Sequence, residues 1–162
     1  LSSVMRYMLY ECQEKYVSLS KEVKQLENFT QLYEMQIEER GEVTFSVQAD
    51  QPNYQIAPLI LIVFIENAFK HSQASQSDHI MIDIRIHLSE EGELEFSCKN
   101  SVQPLTNTDN LARGIGLENV KKRLDLLYHN AHQLVIEETE NQYKIYLSMQ
   151  LTQKVRHELY YH

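Results

Sequence analysis

Phe64-Ile65-Glu66-Asn67-Ala68-Phe69-Lys70-His71 and Gly114-Ile115-Gly116-Leu117-Glu118-Asn119-Val120-Lys121-Lys122-Arg123-Leu124 stand about fifty residues apart, and reading the two together decides the fold. In the first, Glu66 and Lys70 are four apart and share one face of a helix, while Asn67 and His71 share the adjacent face. Asn67 offers a neutral oxygen to Mg2+, a hard ion that takes few protein ligands and keeps several waters. Glu66 can orient a water or accept a proton from an attacking nucleophile, and Lys70 can neutralise phosphate charge. Taken alone, the same residues also read as an exposed Glu–Lys pair at a polar helix end. In the second stretch Gly114 and Gly116 bracket Ile115. Glycines let the backbone reach phosphate oxygens with no Cβ in the way. A helix starting at Gly116 or Leu117 then turns free N–H groups and the positive end of its dipole towards the anion. Neither a GxxxxGKS/T loop nor a GxGxxG after a strand is present, so the P-loop and Rossmann routes to a nucleotide are absent.

Outward from these stretches, Ile56 to His71 is apolar over a length that favours a helix, with Pro58 tolerated in its first turn. Upstream, Leu19, Val23, Leu26, Thr30, Tyr33 and Ile37 form one stripe of a long amphipathic helix that Ser18 can cap and that ends near Gly41. Leu1 to Val17 also has helical spacing. Val43, Phe45 and Val47 alternate with polar residues and predict a strand, and Asp50 to Gln55 reads as a loop. Ile80, Ile82, Ile84, Ile86 and Leu88 alternate strictly with polar residues, so one face of this strand is buried and the other wet. Glu90 to Glu93 turns the chain into a returning strand at Leu94, Phe96 and Cys98. Lys99 to Arg113 is polar and aperiodic, a length of loop that is usually functional. The glycine helix runs to Tyr128, with Leu117, Val120, Leu124 and Leu127 buried. Two strands follow, at Leu134–Ile136 and Tyr143–Leu147, and residues 151–162 form a tail with weak helical spacing. The sum is three domain helices and five strands: a two-layer α/β (α+β) sandwich, its sheet mixed but mostly antiparallel, with the helices on one face.

The 162 residues suffice for one domain with a core, and 43% hydrophobic content is ordinary for a globular chain. A net charge of −8, from 15 basic and 23 acidic residues, argues against a nucleic-acid or anionic-membrane binder. Cys12 and Cys98 form no CxxC pair, which disfavours a zinc or redox motif and fits a reducing compartment. The longest apolar run, Pro58 to Ile65, is too short to span a bilayer. The chain opens at Leu1 inside a helical pattern and reads as a piece of a longer protein.

The order of Glu-Asn-Ala-x-Lys-His helix, strand hairpin, polar lid and Gly-x-Gly-Leu helix resembles the ATP-binding domain of sensor histidine kinases, within the gyrase, Hsp90, histidine kinase and MutL superfamily. Pro58-Leu59-Ile60-Leu61 leading into Glu66 to His71, and the run from Gly114 to Leu124, are most similar to the LytS-type kinases. Leu1 to Leu9 resembles the second helix of their dimerisation region, and Leu19 to Gln36 their linker helix. The resemblance covers residues 1–150 and implies the Bergerat-type fold. It divides the chain into the end of a dimerisation region (1–17), an ATP-binding catalytic domain (18–150, with its linker helix over 19–40) and a tail (151–162). It implies ATP and Mg2+ as cofactors, Asn67 as the metal ligand, Glu66 as the residue assisting phosphoryl transfer, and Lys70 and His71 near the phosphates. Gly114, Ile115, Gly116 and Leu117 would form the glycine box behind the lid. Arg123 would either touch a phosphate or tie the helix to its neighbours.

Two positions depart from the pattern. Where the family has an Asp-x-Gly segment whose carboxylate reads the adenine amino group, this chain has Lys99-Asn100-Ser101-Val102, and Asn100 is left to accept that hydrogen bond through its carbonyl oxygen. Where many histidine kinases have a second Asn, one turn before the first, this chain has Val63. No histidine sits in a phosphoacceptor context, so the expected partners are an acceptor-histidine region of the same protein, outside the chain, and a response regulator. The resemblance further implies a homodimer in the intact protein and a cytoplasmic position, in a membrane-anchored sensor. The alternatives are a non-catalytic interaction module that kept the fold, or an ATPase of the same superfamily.

Overall fold

The alternation at Ile80–Leu88 sets the architecture. In the computed structural model, which describes residues 14–74, 79–102 and 114–154, every apolar residue at the even positions of this strand is buried, and Met81, Arg85 and His87 face solvent. Ile80–Leu88 is the second strand of a five-stranded sheet. Its hairpin partner Glu93–Ser101 turns Leu94, Phe96, Cys98 and Asn100 to the same buried face. Gly92 closes the hairpin at φ 85, beside the Tyr54 ring, where any Cβ would collide with that ring. Glycine alone meets both demands.

In chain order the strands are β1 (Val17–Ser18), β2 (Gly41–Gln48), β3 (Tyr54–Ile56), β4 (Ile80–Leu88), β5 (Glu93–Ser101), β6 (His132–Glu138), β7 (Gln142–Gln150) and β8 (Thr152–Gln153). The main sheet has the order β2-β4-β5-β7-β6, and only the β2–β4 pair is parallel. A small sheet, β1-β3-β8, ties the segment before the first helix to the end of the described chain. The helices are α1 (Leu19–Ile37), α2 (Leu61–Ala74) and α3 (Gly114–Leu127). Helix α2 packs on β4 and β5, and also touches α1 and α3. The two-layer sandwich with a mixed, mostly antiparallel sheet is therefore the fold observed, and the five periodic strands of the sequence are the five strands of its main sheet.

Several boundaries differ from the sequence reading. Helix α2 starts at Leu61, not Ile56: Ile56 belongs to β3, and Ala57–Ile60 form a bend in which Leu59 takes φ 64. Pro58 disfavours a helical Ala57, and a left-handed Leu59 cannot continue a helix, so the apolar run is divided between two elements. Strand β5 extends through Ser101, pairing with β7 up to Gln142, so the polar stretch from Lys99 begins as a strand. Residues 103–113, where the lid was expected, lie outside the described residues. Helix α3 already starts at Gly114. The helical spacing read over Leu1–Val17 does not hold at its end, where Val17 enters β1, and residues 1–13 are outside the described residues. Leu151 is buried and donates its N–H to Gly92 O at 2.8 Å, and β8 replaces the start of the expected helical tail. The strands β1, β3 and β8 are two or three residues long, too short for a period to be read.

Helix α1 is capped by Ser18, whose hydroxyl accepts from Lys21 N at 3.3 Å. Its buried stripe holds Leu19, Leu26, Thr30 and Ile37 as read, and adds Phe29 and, against the pattern, Glu22.

The core centre is the Phe64–Phe96 contact between α2 and β5, ring centroids 6.0 Å apart and both rings fully buried. Phe96→Ala is expected to lower unfolding stability by about 3–5 kcal/mol, measured by denaturant titration.

Candidate functional site

Helix α2 presents Phe64, Ile65, Ala68 and Phe69 to the core and keeps Glu66, Asn67 and Lys70 at its rim. The Lys70 ammonium is 2.9 Å from Glu66 Oε1, and both side chains keep substantial exposure. The hydrogen bond to Glu66 and then its charge hold Lys70 above its ordinary range, so Lys70 stays cationic. Tyr33 of α1 reaches the same place. Its ring lies 4.8 Å from Phe69, and burial, followed by the Glu66 carboxylate, raises its phenol while Lys70 opposes. The sequence stripe had assigned Tyr33 to the core alone.

Asn67 is half-buried, and its Nδ2 is fully buried with no hydrogen-bond partner. Amide nitrogen and oxygen exchange places by a half-turn of the side chain, so either end of Asn67 can occupy that position. Asn100 projects from β5 into the buried layer with 1% exposure. Its Nδ2 donates to Ser101 O at 3.0 Å, while its Oδ1 is buried without a donor. Leaving such a group unsatisfied costs roughly 1–3 kcal/mol. Only three buried side-chain polar atoms among the described residues lack a partner, and two of them are these.

The glycine segment meets α2 directly: a Cβ placed on Gly116 would stand 3.6 Å from Val63 Cγ1, an ordinary contact. Gly114 and Ile115 form the first turn of α3, and Leu117, Val120 and Leu124 bury its inner stripe. The start of α3, where a helix's first N–H groups have no partner within the helix, thus lies beside the turn of α2 that precedes Glu66 and Asn67. The remaining candidates make packing contacts. His71 is buried, its ring centroid 5.3 Å from that of Tyr143 on β7. Arg123 donates from Nη1 to Pro58 O at 2.8 Å, which is the packing alternative of the two its sequence position allowed.

Burial pushes the Cys98 thiol up to about 12, and its Sγ lies 3.9 Å from Phe64 O. Among the described residues no group of three or more His, Cys, Asp or Glu side chains could hold a metal. A groove of about 790 Å³ lies on the outer face of the sheet, lined by Thr44, Asp83, Arg85 and Lys99 among others, and none of the candidate residues reaches it. It is an open trough over the polar side of β2, β4 and β5.

No family model matches the chain. Over 86% of its length it is 24% identical to the sensor protein LytS of Staphylococcus haemolyticus, covering 26% of that protein. It is 23% identical to the sensor protein LytS of Streptococcus mutans, again over 86% of the chain and 26% of the relative. The chain therefore spans about a quarter of the length of the curated relatives it matches. Among solved structures it is similar to the catalytic domain of histidine kinase ThkA, with TM-score 0.59 and 14% identity, over 86% of this chain and 97% of that one. It is also similar to the mycobacterial sensor histidine kinase MprB, with TM-score 0.57 and 11% identity, over 86% and 99%. The fold is that of histidine kinase catalytic domains, as the two sequence stretches implied.

Two outcomes are expected from this geometry. With Cys12 replaced by Ser, Cys98 should resist alkylation in native protein at mildly alkaline pH and react on unfolding, as followed by mass spectrometry. Gly116→Ala should raise stability by about 0.5–1 kcal/mol, since alanine favours helix, yet weaken binding of a phosphate ligand to the α3 terminus; thermal melts and ligand titration read the two effects separately.

Proposed function

We propose that this chain is the ATP-binding catalytic domain of a two-component sensor histidine kinase, which transfers the γ-phosphoryl group of ATP to a histidine outside the chain. The observation that carries the reading is the pair of carboxamides, Asn67 on α2 and Asn100 on β5, each with a buried polar atom that has no partner among the described residues. Asn67 would offer a neutral oxygen to Mg2+, and Asn100 Oδ1 is an acceptor suited to an exocyclic amine such as that of adenine. With its amide turned by a half-rotation, Asn67 would present an oxygen at that buried position and would hold a hard cation there. When bound, Mg2+ neutralises triphosphate charge during transfer. Around it Lys70 adds a positive charge, Glu66 holds Lys70 and can accept the proton of the attacking imidazole, and the N–H groups of the first turn of α3 receive phosphate oxygens. Phosphoryl transfer asks mainly for positioning and charge neutralisation, which this set supplies without a covalent nucleophile.

The acceptor would belong to the dimerisation region of the same protein in a homodimer, and a response regulator would take the phosphoryl group next. Among the described residues no helix is long and apolar enough to cross a membrane. We place the domain on the cytoplasmic side of a membrane-anchored sensor, by analogy with the longer relatives it matches. A second reading, a module that kept the fold and lost nucleotide use, is favoured by one observation: Lys99-Asn100-Ser101 offers no carboxylate to the base.

Calorimetric titration of a non-hydrolysable ATP analogue with and without Mg2+ separates the readings. The kinase reading expects micromolar, metal-dependent binding, and Asn67→Ala removes the metal-dependent part, about tenfold or more in affinity. No binding up to millimolar analogue would support the degenerate module, and steady ATP turnover without a histidine acceptor would support an ATPase.

A further inference from the structure

The bend at Ala57–Ile60 is held by side chains from two other helices. Three of its backbone polar groups are taken, the last two at the two ends of the single Pro58–Leu59 peptide group. The Ala57 N–H donates to the Tyr128 hydroxyl at 2.9 Å. The Pro58 carbonyl accepts from Arg123 Nη1 at 2.8 Å. The Leu59 N–H donates to Glu22 Oε1 at 3.0 Å. Tyr128 follows the last turn of α3 and Arg123 lies within α3, while Glu22 comes from the first turn of α1. Burial raises the Tyr128 phenol, the bond from Ala57 and the Arg123 charge lower it, and Glu22 raises it, so Tyr128 senses both other members of the clamp.

The cluster is expensive to build without a purpose in placement. Glu22 is a carboxylate with 1% exposure, and a buried charge is retained only where it is well bonded. Leu59, a bulky residue, is held at φ 64, a conformation its Cβ disfavours. Strain of this kind persists where surrounding contacts over-determine it. Two residues past Leu59, helix α2 begins, and it carries Val63 against Gly116 and then Glu66 and Asn67.

We propose that Glu22, Arg123 and Tyr128 are positioning residues: by fixing the 57–59 bend from α1 and α3 together, they set where Glu66 and Asn67 stand relative to the glycine segment. This deepens, and rests on, the kinase reading. In it the linker helix α1 is a structural part of the phosphate site, so a displacement of α1 is felt at Asn67 through Glu22 and the bend. The Leu59 N–H needs an oxygen and not a charge, so a carboxamide at position 22 can accept from it as well.

The test compares Glu22→Ala and Glu22→Gln in the full chain, with Leu147→Ala, a buried β7 residue paired with Phe96 in the sheet, as a control for general destabilisation. Two readouts are taken: hydrogen exchange over residues 57–65, and the ratio of ATP-analogue affinities with and without Mg2+. Glu22→Ala should speed exchange there at least tenfold and reduce the Mg2+ ratio about tenfold. Glu22→Gln should restore both, and Leu147→Ala should lower the melting temperature while leaving the ratio unchanged. Exchange over 57–65 that is the same in Glu22→Ala and the parent overturns the clamp. Faster exchange with an unchanged Mg2+ ratio overturns its link to the site, as does an equal fall of the ratio in Leu147→Ala. If the parent chain binds no analogue, the kinase reading falls and the positioning role with it, while the exchange data still decide whether the clamp exists.

Discussion

One-sided burial of the five-stranded sheet under α2 is the constraint on which the remaining structure depends. Phe64 and Phe69 are fully buried and Ala68 nearly so, over β4 and β5, whose own inward residues are almost wholly apolar. Burial of this much apolar surface is the main favourable term in folding, and it fixes the roll of α2 about its axis. With that roll set, Glu66 and Lys70 come out at the rim, and Asn67 lies at the edge of the buried layer. The exception on the inward face of β5 is Asn100, a polar group inserted in a row of Leu94, Phe96 and Cys98. A polar atom with no partner in such a row works against folding, and this is why it weighs so heavily in the functional reading.

Rotation is fixed by the sheet, but the position of α2 along its axis and its approach to α3 are not. Those depend on the bend before it, where Tyr128 takes the Ala57 N–H, Arg123 the Pro58 carbonyl and Glu22 the Leu59 N–H. Tyr33 adds a second contact from α1, its ring against that of Phe69 next to Lys70. Helix α1 therefore touches both ends of the segment that bears the chemistry.

The sequence was most legible where burial imposes a period. Ile80 to Leu88 alternates because one face meets the core and the other water, and strand, hairpin and buried face all follow from it. The start of α2 was misplaced because Ile56 to Ile65 is apolar throughout, so no period marks the change from strand to bend to helix. A left-handed leucine leaves no compositional trace. Glu22 was missed because a lone glutamate on an amphipathic helix reads as solvated, and its peptide partner is 37 residues away. The pairing of Glu66 with Lys70 followed from their spacing, whereas the interest of Asn100 came from resemblance, and its orphaned Oδ1 gives that interest a physical basis. His71 and Arg123 share the motifs yet pack against Tyr143 and Pro58, because a helix that carries a site must also be anchored.

The central claim is that a metal-bound nucleotide lies between α2 and the start of α3, over Asn100. A crystal structure of the chain grown with Mg2+ and a non-hydrolysable ATP analogue tests it most directly. The account predicts metal density at the Asn67 carboxamide, phosphates at the first turn of α3 and the base amine at Asn100 Oδ1. Nucleotide lodged instead in the trough on the outer face of the sheet, or bound with Asn67 untouched, would contradict it.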